Sequence, residues 1–154
     1  MLSDRKWLGL IAWIVLSLSA GYSGSLFSPG EWYQTLEKPY LTPPDLVFPI
    51  VWNLLYILMG TAAWCVWNSQ SAFRSVAILL FIIQLLLNVL WSYLFFGMQS
   101  PGLALLEIVV LWVVLLATLF VFYNIDTSAG LLFLPYIAWV TFAIYLNYSI
   151  YVLN

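Results

Sequence analysis

Five apolar runs, each long enough to cross a bilayer as a helix, follow one another through this chain with only short breaks: residues 7–27, 46–67, 76–96, 102–123 and 129–152. A hydrocarbon core about 30 Å thick needs roughly 20 helical residues to span it. Five spans therefore use almost all of the 154 residues, and no soluble domain fits beside them. Only helices and closed barrels satisfy their backbone groups in lipid. A membrane barrel is built from strands of about ten residues with strict alternation, and a run such as ILLFIIQLLLNVLW does not alternate. The breaks carry turn chemistry instead, in Ser28-Pro29-Gly30, residues 68–71, residues 97–101 and Asp126-Thr127-Ser128. The fold expected is an all-α integral membrane protein, a bundle of five transmembrane helices forming one domain over residues 1–154. Residues 28–45 are expected as an ordered loop over a pocket.

Charge narrows the function classes. Only 6% of the residues are charged, against about 25% in an ordinary soluble domain. The net charge of −2 provides no basic patch and no case for nucleic acid. Arg5, Lys6 and Arg74 fall on one side of a five-span topology and Lys38 on the other, so the positive-inside rule places the N-terminus inside. The absence of histidine removes the commonest metal ligand and general base. Histidine-ligated haem, zinc hydrolysis and a Ser/His triad are excluded, and no resident metal is expected. Cys65 stands alone and makes no internal disulfide.

The first run follows Arg5 and Lys6 and resembles a signal peptide in outline. Its small residues, however, recur at helical spacing: Ser17, Gly21 and Ser25 in one row, and Ala20, Gly24 and Ser28 in another. Rows of this kind let helix backbones approach closely in lipid, so span one is expected to be retained as a packed element. Trp7, Trp13, Trp64, Trp67 and Trp112 are expected as interfacial anchors.

Polar side chains at membrane depth are costly and mark candidate sites. The third span carries Gln84, Asn88, Trp91, Ser92 and Phe95 on one helical face. The second aligns Trp52, Tyr56, Gly60 and Ala63, and the fifth aligns Pro135, Tyr136, Trp139, Ala143 and Asn147. Taken singly, such stripes are packing surfaces. Three stripes that pair aromatics with amides or small residues fit a flat apolar ligand held between aromatic walls with a few polar anchors. Glu107 is the one acidic residue deep in a span. It serves either a hydrogen bond to a neighbouring helix or water, or a proton-coupled exporter.

The loop before span two contains four of the seven prolines. Thr42-Pro43-Pro44-Asp45 has the form of a helix start, with a threonine cap, prolines in the first turn and an acidic residue three positions on. Pro49 then falls inside the helix and is expected to bend it one turn before Trp52, aiming the indole inward.

Three segments, WYQTLEKPYLTPPDLVFPIVWNLLYILMG, QLLLNVLWSYLFFG and DTSAGLLFLPYIAWVTFAIYLN, closely resemble the translocator protein family, also called tryptophan-rich sensory proteins or peripheral benzodiazepine receptors. The resemblance runs from about Gly21 to the C-terminus, with the three motifs in the family's order and spacing. It implies a five-helix bundle, usually a homodimer, with a cavity under the loop between spans one and two. It implies binding of tetrapyrroles such as protoporphyrin IX and haem, as ligands and not as required cofactors. Trp52, Asn88 and Trp139 match family positions that line the cavity, as do Tyr33, Pro43, Tyr56, Phe95 and Ala143. Some bacterial members degrade protoporphyrin in light, with the tryptophans matching Trp52 and Trp139 implicated. Animal members carry a sterol-recognition pattern that needs a basic residue soon after a C-terminal tyrosine. Here Tyr148 is followed by SIYVLN, so a bacterial tetrapyrrole-binding member is the better match.

The sequence reading is thus of a multi-pass tetrapyrrole-binding protein with a transport or stress-sensing role, in a bacterial cell membrane rather than an outer membrane. Porphyrin photo-oxidation through Trp52 and Trp139 and proton-coupled export through Glu107 are the alternatives.

Overall fold

A computed structural model of the chain describes residues 2–154. The side chains of residues 1–5, Arg5 of the charge-based orientation argument among them, lie outside the description. The described chain forms helices α1 (Leu2–Ser25), α2 (Glu31–Thr35), α3 (Val47–Trp67), α4 (Arg74–Ser92), α5 (Pro101–Ile125) and α6 (Thr127–Leu153). Helix α4 runs on into a π-helical turn, Tyr93–Gly97. All but α2 contain a stretch long and apolar enough to cross a membrane, so the protein is an integral, multi-pass membrane protein.

The helices close in the cyclic order α1–α3–α6–α5–α4, with α4 returning to α1. Small residues permit the tightest of these approaches. A Cβ at Gly60 of α3 would stand 2.7 Å from the Ile14 Cα and 2.8 Å from the Trp13 carbonyl oxygen. Only glycine lets the two backbones meet there. The small rows of α1 meet two neighbours: Gly21 lies against the Tyr56 ring of α3 and Gly24 against Ser92 of α4. One residue, Asp126, separates α5 from α6, and its carboxylate caps α6 by accepting from the Ala129 N–H at 3.0 Å.

Helix α3 starts later than its proline-rich leader suggests. Thr42 caps nothing; its hydroxyl donates to the Pro39 carbonyl at 2.8 Å. Thr42 and Pro43 each precede a proline, which disfavours the helical region for both, so the chain turns helical only at Val47. Pro49 is consequently the third helical residue, in the turn where backbone N–H groups have no intrahelical acceptor. It marks the helix start and does not bend the interior. The interior proline of the molecule is Pro135 in α6, and its side chain is exposed, away from the buried face of Tyr136.

Two expected interfacial tryptophans also belong elsewhere. Trp13 packs into the bundle, 5.5 Å from Trp67 and 5.6 Å from Phe81 between ring centroids. Trp112 lies in the middle of α5 and donates to the Thr141 hydroxyl on α6 at 2.9 Å.

Candidate ligand cavity

The five spans enclose a cavity of about 760 Å³ that opens beneath the loop between α1 and α3. Residues of that loop, Ser28, Pro29, Gln34, Thr42 and Asp45, form its mouth. The loop is folded down onto the bundle. Tyr33 of α2 is buried against Phe95 and Phe96 at 6.3 and 5.6 Å, and Trp32 meets Phe95 at 5.9 Å. The Lys38 ammonium sits 4.2 Å above the Tyr33 ring. Burial and the nearby Asp45 carboxylate push the Tyr33 phenol above its usual pKa. Midway along, just after α2, the loop is fastened to the end of α6, where the Asn154 amide accepts from the Glu37 N–H and donates to the Glu37 carbonyl, both at 3.0 Å.

The walls are aromatic. Trp52 stacks on Tyr56 on α3 with centroids 5.7 Å apart, and Trp91 stacks on Phe95 at 5.1 Å across the start of the π turn. Trp139 on α6 meets Phe48 edge-on at 5.9 Å. The π turn brings the adjacent Phe95 and Phe96 both to the cavity, a local widening of the kind found at functional sites. Ile108 and Leu111 contribute an apolar strip from α5.

Two buried amides reach the wall, and both are already engaged. The Tyr56 hydroxyl donates to Asn88 Oδ1, and Asn88 Nδ2 donates to the Tyr136 hydroxyl at 2.8 Å. Asn147 Oδ1 accepts from the Trp91 indole N–H at 3.0 Å, while its Nδ2 donates to the Pro101 carbonyl at 2.8 Å. Each amide retains one N–H and one lone-pair direction for a ligand. Their main effect is to fix four helices around the cavity: Asn88 ties α4 to α3 and α6, and Asn147 ties α6 to α4 and α5.

Of the candidate residues, Tyr33, Trp52, Tyr56, Asn88, Trp91, Phe95, Trp139, Ala143 and Asn147 come together on this one cavity. Pro43 and Tyr136 do not reach it. Pro43 lies in the leader behind Thr42, because the helix that was expected to begin there starts at Val47. Tyr136 is 1% exposed and sits behind Asn88, where its hydroxyl positions the amide. Gln84 is likewise off the wall, fully buried one turn deeper, with its Nε2 directed at the Met59 sulfur 3.7 Å away. The mouth residues and the α5 strip carry no distinguishing sequence signal. Ile108 and Leu111 are ordinary apolar residues of an apolar helix.

The profile of the TspO/MBR family matches residues 12–153. The chain belongs to the TspO/MBR family. It is similar to the tryptophan-rich protein TspO of Chlorobaculum tepidum, 44% identical across 98% of this chain and 99% of that one. It is 37% identical to the tryptophan-rich sensory protein of Cereibacter sphaeroides, over 98% and 94% of the two chains. The translocator protein of Bos taurus is 31% identical over 94% and 89%. The TspO/MBR match spans every helix that contributes to the cavity wall.

Proposed function

We propose that this protein binds tetrapyrroles, protoporphyrin IX and haem among them, in the cavity under the α1–α3 loop, and serves a transport or stress-sensing role in the membrane. The observation that carries the reading is the wall itself: Trp52, Trp91, Phe95 and Trp139 offer flat π surfaces around a space of about 760 Å³, within the range of roughly 300–1,000 Å³ usual for small-molecule sites. The names of the relatives, translocator and tryptophan-rich sensory protein, agree with a binding and signalling role. With no histidine in the chain, stacking and burial hold the macrocycle, and free-base protoporphyrin competes well with haem.

Titration of the purified protein with each pigment tests this. Saturable binding of both is expected, weakened when Trp139→Leu removes one wall. Haem bound many-fold tighter than protoporphyrin, with the spectrum of a strong axial ligand, would refute it.

A second reading, light-driven degradation of the bound porphyrin, is favoured by the placement of Trp52 and Trp139 on the same cavity. An indole beside an excited macrocycle is a competent electron donor. Illumination of the porphyrin complex decides: bleaching as fast in Trp52→Phe and Trp139→Phe as in the parent protein removes the role of these residues.

A further inference from the structure

Next to Ile108 of the α5 strip lies a polar group that is not part of this cavity's wall. Glu107 of α5 is 8% exposed, and among the described residues neither of its carboxyl oxygens has a hydrogen-bond partner. A lone carboxylate buried at this depth is strongly penalised. The elements packed against α5 supply no countercharge: α3, α6 and the π turn contain no Asp, Glu, Lys or Arg, and Arg74 stands at the opposite end of α4. Tyr93 of the π turn and Tyr145, Tyr148 and Tyr151 of α6 are exposed and turn outward. The Tyr136 hydroxyl of α6 feels the Glu107 charge from beyond hydrogen-bond distance. Behind it stands the Tyr56 hydroxyl of α3, one amide further along.

The hydrogen bonds between these groups have a direction. Tyr56 donates to Asn88, and Asn88 donates to Tyr136. A phenol that accepts still has its own hydrogen to give, and Tyr136 has no recipient for it among the described side chains. Among the described residues the acceptors left without a donor are the Glu107 carboxyl oxygens and Gln84 Oε1. The hydrogen-bonded chain therefore leads from the cavity wall to Tyr136 and ends there, one step short of the buried acid.

We propose that Glu107 is a proton-binding site coupled to occupancy of the cavity through the α5 strip it shares with Ile108 and Leu111, so that ligand and proton are taken up together. The inference rests on the tetrapyrrole reading above. Ile108 and Leu111, beside Glu107 on α5, line the cavity. An apolar ligand seated there removes polarisable surroundings from the acid and disfavours its charged form. The step is a simple protonation: a proton from solvent forms the carboxyl O–H bond and cancels the negative charge. By linkage, each event strengthens the other.

The test uses full-length protein in nanodiscs and the dimethyl ester of protoporphyrin IX, which has no carboxyl groups of its own, titrated from about pH 6 to about pH 9. The parent protein's affinity is expected to fall as pH rises, by up to about tenfold per pH unit once Glu107 ionises. In Glu107→Gln, a permanently neutral isostere, the profile is expected to be flat. Glu107→Leu, a second neutral variant that replaces the buried carboxyl with apolar volume, is expected to flatten the profile in the same way; it decides the matter if Glu107→Gln does not fold. A purely structural Glu107 would change melting temperature in the variants and leave the pH slope in place, which overturns the coupling. Saturable binding independent of pH in the parent protein also overturns it. No saturable binding at any pH removes the tetrapyrrole reading and the coupling together.

Discussion

Gly21→Ala is the smallest perturbation that carries a packing strain from the α1 seam into the ligand cavity. A Cβ at Gly21 would stand 2.7 Å from Tyr56 Cδ2 and 2.9 Å from Cζ, with Cε2 closer still. Carbon atoms sit comfortably at about 3.5–4.0 Å, so the ring must retreat by about an ångström. Its other face is stacked on Trp52 and its hydroxyl is bound to Asn88, so it cannot retreat without loosening one of them. Overpacking of this kind costs about 1–3 kcal/mol. The disturbed hydrogen bond adds about 0.6 kcal/mol by the average for such bonds inside membranes. The sum, about 2–3.5 kcal/mol, corresponds to a melting temperature lowered by about 4–14 °C at 2–4 °C per kcal/mol. Thermal unfolding in detergent reads the shift, and porphyrin titration reads an accompanying loss of affinity. Gly30→Ala is the control: nothing lies within 4 Å of its Cβ position, and it should stay within about 0.5 kcal/mol of the parent. Gly60→Ala strains the same seam against the Trp13 and Ile14 backbone, so it should melt early while affecting affinity less. If Gly21→Ala melts with Gly30→Ala and binds pigment normally, the account of Tyr56 as a ring pinned between α1 and Asn88 is wrong.

Other outcomes follow from single contacts. Asp126→Ala removes the cap that starts α6 one residue after α5 ends, and should cost about 1 kcal/mol in unfolding measurements. Asn154→Ala opens the two-bond clasp on Glu37; pigment release in stopped-flow should quicken, with melting within about 0.5 kcal/mol of the parent. The Tyr33 phenol is held above its usual value by burial, with Asp45 adding to the effect. A folded-state pKa raised in this way gives a contribution present in full below about pH 10, the ordinary phenol value, and lost as pH rises through the folded value. Loop proteolysis should therefore accelerate at strongly alkaline pH, together with phenolate absorbance, and Tyr33→Phe should abolish that step.

The spans were legible because lipid imposes one rule on every backbone group, and runs of about 20 apolar residues obey it in plain view. The aromatic stripes could be read for the same reason: helical spacing puts Trp52 with Tyr56, Asn88 with Trp91 and Phe95, and Trp139 with Ala143 on common faces. Periodicity says which residues share a face but not how far along the helix a cavity extends. Gln84 shares the face of Asn88 and lies in the packed core one turn below it, while Tyr136 shares the face of Trp139 and stands behind the wall. Trp13 and Trp112 were misplaced because an indole satisfies its apolar body and its N–H equally well at an interface or between helices. The proline leader deceived for a local reason. Thr42-Pro43-Pro44-Asp45 has the composition of a helix cap, but two successive residues before prolines keep the backbone out of the helical region until Val47.

Sequence alone determined that this chain is a five-span membrane bundle without histidine chemistry, and that flat aromatic faces accompany a few intramembrane amides. These properties are set residue by residue, by hydropathy, helical period and side-chain type. Only the tertiary structure decided which faces meet. The cyclic order of the helices, the use of Asn88 and Asn147 as ties between four of them, the loop fastened by Asn154, and the burial of Glu107 without a partner among the described residues all depend on how residues far apart in the chain are brought together. Many helix arrangements bury the same apolar area in lipid. The one adopted is selected by close backbone approach at glycines and by pairing of the few polar groups, whose partners no local pattern names.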